Sequence, residues 1–165
     1  MKWARDYLAM ARAAALQLAA IDADLSRKFD ALQLSAQKYA ESRSGDVDPQ
    51  AAIDAYIDAE MAAEAARMPL LCIVDDATEL LYGPHARAGV AKLLGAKYAD
   101  VLCWRWLQLR SWREIARDLR CSVRWAQQLE RDALDWMDKT GESHIRAHNG
   151  IESDYYESMR WGCDE

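Results

Sequence analysis

Residues Ser111 to Leu134, SWREIARDLRCSVRWAQQLERDAL, constrain the fold more than any other stretch of the chain. Ser111 and Glu114 hold the S-x-x-E spacing of a capping box, in which hydroxyl and carboxylate satisfy orphan amides at a helix start. Ile115, Ala116 and Leu119 then share one helical face. Ser122 is placed to cap a second helix. In that helix Ala126, Leu129 and Ala133 recur at spacings of three and four and also share a face. The small side chains of Ala116 and Ala126 let the two helices cross closely. The pattern is a helix-turn-helix, a unit that can set its second helix into a DNA major groove.

The rest of the chain reads as helix too. With 7 glycines and 3 prolines in 165 residues, and no β-branched runs, the expected class is all-α. Trp3 to Arg43 reads as one helix roughly 60 Å long. Trp3, Tyr7, Met10, Ala14, Leu18, Ile21, Leu25, Phe29, Leu32, Ala36 and Tyr39 form its stripe, too narrow to stand without a partner helix. Ser42 to Pro49 reads as a turn, with Asp48 as N-cap and Pro49 at the first helical position. A second helix follows, with Ile53, Ile57, Met61 and Met68 on its apolar side. Pro69 should kink or end it, and Leu70 to Leu81 continues as helix. The two helices are expected to form a coiled-coil-like antiparallel hairpin.

Gly83-Pro84 marks a break, followed by a short helix to about Leu94 that Gly95 stops. Ala96 to Leu109 is expected as one further helix, carrying Tyr98, Val101, Leu102, Trp106 and Leu109. Packed across the helix-turn-helix pair, it completes a compact head. After Asp138 periodicity fades, and Gly141, Asn149-Gly150 and scattered acids indicate a weakly ordered acidic tail. The expected organisation is a hairpin for oligomerisation over 1–82, a head over 84–138 and a tail over 139–165.

Charge is segregated along the chain. The net charge is −6, yet residues 84–131 carry 10 Lys/Arg against 4 Asp/Glu, a net +6. Residues 1–83 carry 8 against 14, and residues 132–165 carry 3 against 9, so each flank is −6. Phosphate binding needs local positive charge rather than a basic whole protein, and the basic stretch coincides with the helix-turn-helix pattern.

Other functions find little support. The apolar start, Leu8 to Ile21, is interrupted by Arg12 and Gln17 and preceded by Asp6, so it reads as helix rather than secretion signal. No run reaches the roughly 20 apolar residues of a membrane span. Cys72, Cys103, Cys121 and Cys163 lack any C-x-x-C spacing and read as thiols in a reducing cytoplasm. His144 and His148 could share a helical face with Cys163 as a third ligand, but the glutamate of H-E-x-x-H is missing. His85 reads as a surface residue and Asp75-Asp76 as a solvated face. No nucleophile–base pairing stands out. Neither an enzyme, a metal site nor a cofactor is expected.

The stretch VLCWRWLQLRSWREIARDLRCSVRWAQQLERDAL resembles region 4 of bacterial sigma factors, and in particular phage-encoded transcriptional regulators of the ArpU and RinA type. Arg105-Trp106-Leu107 matches their arginine–aromatic–leucine step. Ser111 to Leu119 matches Ser-aromatic-x-Glu-Ile-Ala-x-x-Leu, Ser122 the start of the recognition helix, and Ala133-Leu134 its end. The match covers about 35 residues, with a weaker likeness to a long N-terminal helical hairpin. The resemblance implies a sequence-specific, DNA-binding transcriptional regulator of phage or prophage origin, with duplex DNA as partner and RNA polymerase as a possible second one. The chain departs from the pattern at four places. Arg120 and Leu109 replace frequent glycines, and Arg120 would cost about 1 kcal/mol in a left-handed conformation. Trp125 fills a slot often held by threonine, and Pro69 interrupts a helix that relatives continue.

With Ala126, Leu129 and Ala133 inward, Arg124, Gln127, Gln128 and Arg131 face outward, and Ser122 stands at the helix start. Arginine suits the O6/N7 edge of guanine and glutamine the N6/N7 edge of adenine, although both also reach phosphates. Arg110, Arg113 and Arg117 flank this face as phosphate contacts, and Asp135 should end it. Trp125 lies at its margin, open to core packing, DNA contact or a protein partner. Trp104, Trp106 and Trp112 read as core or seam residues. A homodimer would place two heads on half-sites roughly 34 Å apart, on an inverted repeat. Two other functions fit the same elements. One is a helical adaptor that binds a protein such as RNA polymerase without a DNA site of its own. The other is a small-terminase-like DNA-packaging subunit.

Overall fold

The computed structural model describes residues 2–42, 49–83 and 88–147. All regular elements among them are helical, in keeping with the composition. In order they are α1 (Trp3–Ser42), α2 (Pro49–Tyr82), α3 (Gly89–Leu93), α4 (Ala96–Leu102), a π-helical turn (Cys103–Leu107), α5 (Trp112–Asp118), α6 (Val123–Thr140) and α7 (Glu142–Arg146). The turn expected after Ser42, the break at Pro84, the side chain of Tyr39, His85, His148, Asn149-Gly150 and Cys163 lie outside the described residues.

The chain divides into two compact units, one of residues 14–72 and one of residues 1–13 with the chain from Ile73 onward. The second unit therefore draws in α1's first turns and α2's last turns, which the sequence assigns to the hairpin.

Within residues 14–72, α1 and α2 run antiparallel: Asp22 pairs with Arg67, while Phe29 meets Tyr56 with ring centroids 5.7 Å apart. The face that α2 turns to α1 is not the expected one. Ala52, Tyr56, Ala59 and Ala63 line the seam with Ile21, Leu25 and Leu32. Ile53, Ile57, Met61 and Met68 are instead 41–68% exposed. Helix α2 has two apolar faces, one of alanine and one of isoleucine and methionine, and periodicity alone does not choose between them. The Asp22–Arg67 pair and the Phe29–Tyr56 contact fix its rotation. Pro69 lies inside α2, which runs through it as one helix.

The other unit has a layered core. Leu8 of α1, Leu80 and Leu81 of α2, Val90 of α3, Leu102 of α4, Met137 of α6 and Ile145 of α7 are all at most 1% exposed and belong to one cluster. A second cluster joins Val101 of α4 to Ile115 and Ala116 of α5 and to Ala126 and Leu129 of α6. This is the inward face expected from the spacing. At the far end of α6, the Asp138 carboxylate accepts from the Ala4 amide at 2.9 Å, which satisfies an orphan donor of α1 and ties the two elements together.

Residues 139–147 are part of this core rather than a weakly ordered tail. Thr140 and Ile145 are buried, and Arg146 pairs with Asp76 at 2.7 Å and with Glu142 at 2.9 Å. One apolar residue, Ile145, sets the register of α7, too short a signal to stand out in sequence.

Both junctions around α5 go left-handed where the chain lacks the glycines of the pattern it resembles. Leu109 has φ 58° and Arg120 φ 53°, and among the described residues they are the only non-glycines with positive φ. After α5 the Cys121 amide donates to the Ala116 carbonyl at 2.9 Å and the Arg120 amide to the Arg117 carbonyl at 3.1 Å, the paired bonds of a Schellman cap. Before α5, the helix expected to run from Ala96 to Leu109 widens at Cys103. The Gln108 amide closes onto the Cys103 carbonyl at 3.0 Å, and Leu109 ends the run. Arg120→Gly should raise stability by about 0.5–1 kcal/mol, because glycine takes φ > 0 without a Cβ clash. Denaturant titration reads this as a higher midpoint; an unchanged or lower midpoint removes the strain from the account.

Candidate nucleic-acid interface

The interface is built on two capped helices. The Glu114 amide donates to the Ser111 hydroxyl at 3.4 Å and the Ser111 amide to the Glu114 carboxylate at 2.8 Å, which completes the capping box. The Ser111 hydroxyl also donates to the Glu114 carboxylate at 2.7 Å, and this bond, with the one from the Ser111 amide, holds the Glu114 carboxyl below its usual range. The Ser122 hydroxyl accepts from the Trp125 amide at 3.1 Å, so its oxygen serves α6 as a cap. With Ile115, Ala116, Ala126 and Leu129 buried, the outer surfaces of both helices are set.

Arginine dominates that outer surface. Arg113, Arg117, Arg120, Arg124 and Arg131 are all exposed. Arg113 and Arg117 lie one turn apart on α5, and Arg124 and Arg131 lie two turns apart along α6. Arg120, in the left-handed turn between them, is a member of the basic face that periodicity overlooks, since it belongs to neither helix.

Not every residue expected to meet DNA is presented equally. Arg110 is half-buried, paired with Asp118 and 5.0 Å from the centroid of the Trp104 ring. It braces the π-helical turn against α5, and with Arg117 it holds the Asp118 carboxyl below its usual range. Gln127 and Gln128 are half-buried on α6. Gln128 donates to Asp132 at 2.7 Å and accepts from Arg131 at 2.7 Å, so its amide is already oriented by its neighbours. Glu114, Asp118 and Asp132 are the acids that, with Asp135, limit the positive surface.

Beside this face runs a ladder of arginines on tryptophans. Arg105 lies 4.9 Å from the Trp112 ring, Arg110 lies over Trp104, and Arg12 lies 6.0 Å from Trp106. Arg12 also donates to the Arg105 carbonyl at 2.7 Å, and Arg105 to the Arg110 carbonyl at 3.2 Å. Two of the three cations, Arg12 and Arg105, also satisfy backbone carbonyls, while Arg110 pairs with the Asp118 carboxylate. The tryptophans expected in the seam are thus half-buried supports of the basic face.

Trp106 also donates to the Glu130 carboxylate at 2.9 Å. Burial raises the Glu130 carboxyl above its usual range, against the lowering effects of the Trp106 bond and of Arg5, Arg105 and Arg12. A carboxyl whose pKa is raised on folding contributes stability below its unfolded pKa, and that stability is lost as pH rises through the folded value. Glu130→Gln keeps an acceptor for Trp106 and removes the buried charge. It should stabilise the protein near neutral pH by less than about 1 kcal/mol, a figure reduced for the group's partial exposure. Thermal midpoints of the two proteins should converge below about pH 4; a gap that persists there would assign the effect to packing.

Among the described residues no three His, Cys, Asp or Glu side chains gather to hold a metal ion. No helix among them is long and apolar enough to cross a membrane. No family model, curated protein or solved structure matches this chain.

Proposed function

We propose that this chain is a sequence-specific DNA-binding transcription regulator of the phage type. In this reading α5 and α6 act as a sigma region-4-like helix-turn-helix. Helix α6 enters the major groove, and Arg113, Arg117 and Arg120 hold the phosphates on either side. The observation that carries the reading is the set of five exposed arginines on two capped helices and the tight turn that joins them, within an acidic protein. The resemblance to ArpU- and RinA-type regulators supports it. In α6, Arg124 and Arg131 read base edges or phosphates, while Gln128 must exchange its bonds to Asp132 and Arg131 before it can read adenine.

Binding of short random duplexes by the full chain, measured against salt concentration, tests this reading. Five phosphate contacts give a slope of log K on log salt of about −4.5. Affinity that does not change with salt, or no retention of any duplex at low salt, would favour the protein-binding adaptor.

The active form in this reading is a homodimer, in which a second copy covers the Ile53, Ile57, Met61, Met68 and Leu71 stripe of α2. That stripe is 39–68% exposed and repeats at helical spacing. Sedimentation of the full chain at micromolar concentration should give twice 18.7 kDa. A persistent monomer would exclude the dimer and the inverted-repeat operator, and a larger ring would point to the packaging-subunit alternative.

A further inference from the structure

The first turn of α6 stands clear of the core. Ser122, Val123, Arg124 and Trp125 are all exposed, and burial begins at Ala126. Among the described residues of the unit that holds α6, the large exposed apolar ones are Met10, Val123 and Trp125, so two of these three stand on this one turn. Trp125 differs from every other described tryptophan. Trp3 packs edge-on against Tyr7, Trp104 and Trp112 lie under arginines, Trp106 donates to Glu130, and Trp136 is buried. The indole of Trp125 is 42% exposed and makes no hydrogen bond, ring contact or cation contact among the described residues. Tryptophan joins a large apolar body to one N–H donor, which suits it to a surface that another molecule covers.

The surroundings indicate which molecule. Val123 and Trp125 flank Arg124, and Arg113, Arg117, Arg120 and Arg131 share the exposed surface of the two helices. A surface this cationic favours a polyanion. On the floor of a duplex major groove the apolar group on offer is the C5-methyl of a pyrimidine, on thymine or on 5-methylcytosine.

We propose that the first turn of α6 is a reader of pyrimidine 5-methyl groups, with Trp125 as the apolar contact beside Arg124. This inference rests on the DNA-binding function proposed above. It adds the chemical group that is read and the residue that reads it.

The test uses the full chain and the duplexes it retains from a random pool. Deoxyuridine in place of thymidine should weaken binding about fourfold for each contacted methyl, the transfer free energy of one methyl-sized group. Trp125→Ala should weaken binding to the unmodified duplex and make the protein indifferent to that exchange, while Trp125→Phe should preserve discrimination. In a second arm the cytosines are methylated. Loss on the uridine exchange assigns thymine. A gain on methylation without a uridine effect assigns 5-methylcytosine. Either result supports the inference if Trp125→Ala abolishes it. DNA binding that ignores both exchanges overturns the inference and leaves the DNA-binding function standing, as does discrimination that survives Trp125→Ala. No duplex retained at low salt removes the function and the inference together. Unchanged helicity of Trp125→Ala shows that its effect is not loss of fold.

Discussion

Changing Arg113, Arg117 and Arg124 to alanine together should weaken duplex DNA binding several-hundredfold at about 0.1 M salt. Each arginine that neutralises a phosphate contributes about 0.9 to the salt slope, so the three removals should flatten it by about 2.7. The three residues are suited to the test because they are exposed and form no part of either core cluster. Arg117 is 73% exposed and pairs with the adjacent Asp118 at 3.2 Å, so its loss costs little stability. The contrast residue is Arg110. Its alanine variant should lower the denaturation midpoint, since it gives up the Asp118 pair and the stack on Trp104, and should change the salt slope less than any of the three. Should the triple variant bind DNA with an unaltered slope, the phosphates meet a different surface.

Gly89→Ala should destabilise the protein by about 3 kcal/mol or more. Gly89 has φ +65° and is buried at the start of α3. A Cβ there would lie 2.5 Å from the Leu80 carbonyl oxygen and 2.9 Å from the Gly83 nitrogen. Both are backbone atoms, so no rotamer change relieves the clash, and α3 must part from the end of α2. That separation opens the core at Leu80, Leu81 and Val90, each at most 1% exposed. Gly141→Ala provides the control. Its φ is +83°, yet no atom lies within 4 Å of the added Cβ, so only the left-handed conformation is charged, at about 1–2 kcal/mol. Denaturant midpoints compare the two variants, and equal losses would mean that backbone conformation, not close approach, governs Gly89.

Sequence by itself determined whatever depends on neighbours within about one helical turn. The capping box at Ser111 and Glu114, the cap at Ser122, and the buried faces of α5 and α6 all follow from spacings of three and four. The left-handed turn at Arg120 was legible as well, because the resembled pattern places glycine there, whereas Leu109 was expected within a helix and instead ends it at positive φ. Tertiary structure decided what depends on partners far along the chain. Ala4 meets Asp138 across 134 positions, and Arg146 meets Asp76 across 70, so neither the membership of residues 1–13 in the second unit nor the docking of α7 has a local signature. The same holds for α2, whose alanine face won over its isoleucine and methionine face through contacts with α1. It holds also for the role of Arg110, which counts as a surface cation until Asp118 and Trp104 are brought beside it. Helical periodicity reports which side chains share a face, whereas the partner of that face is chosen by the summed packing and charge pairing of the whole chain.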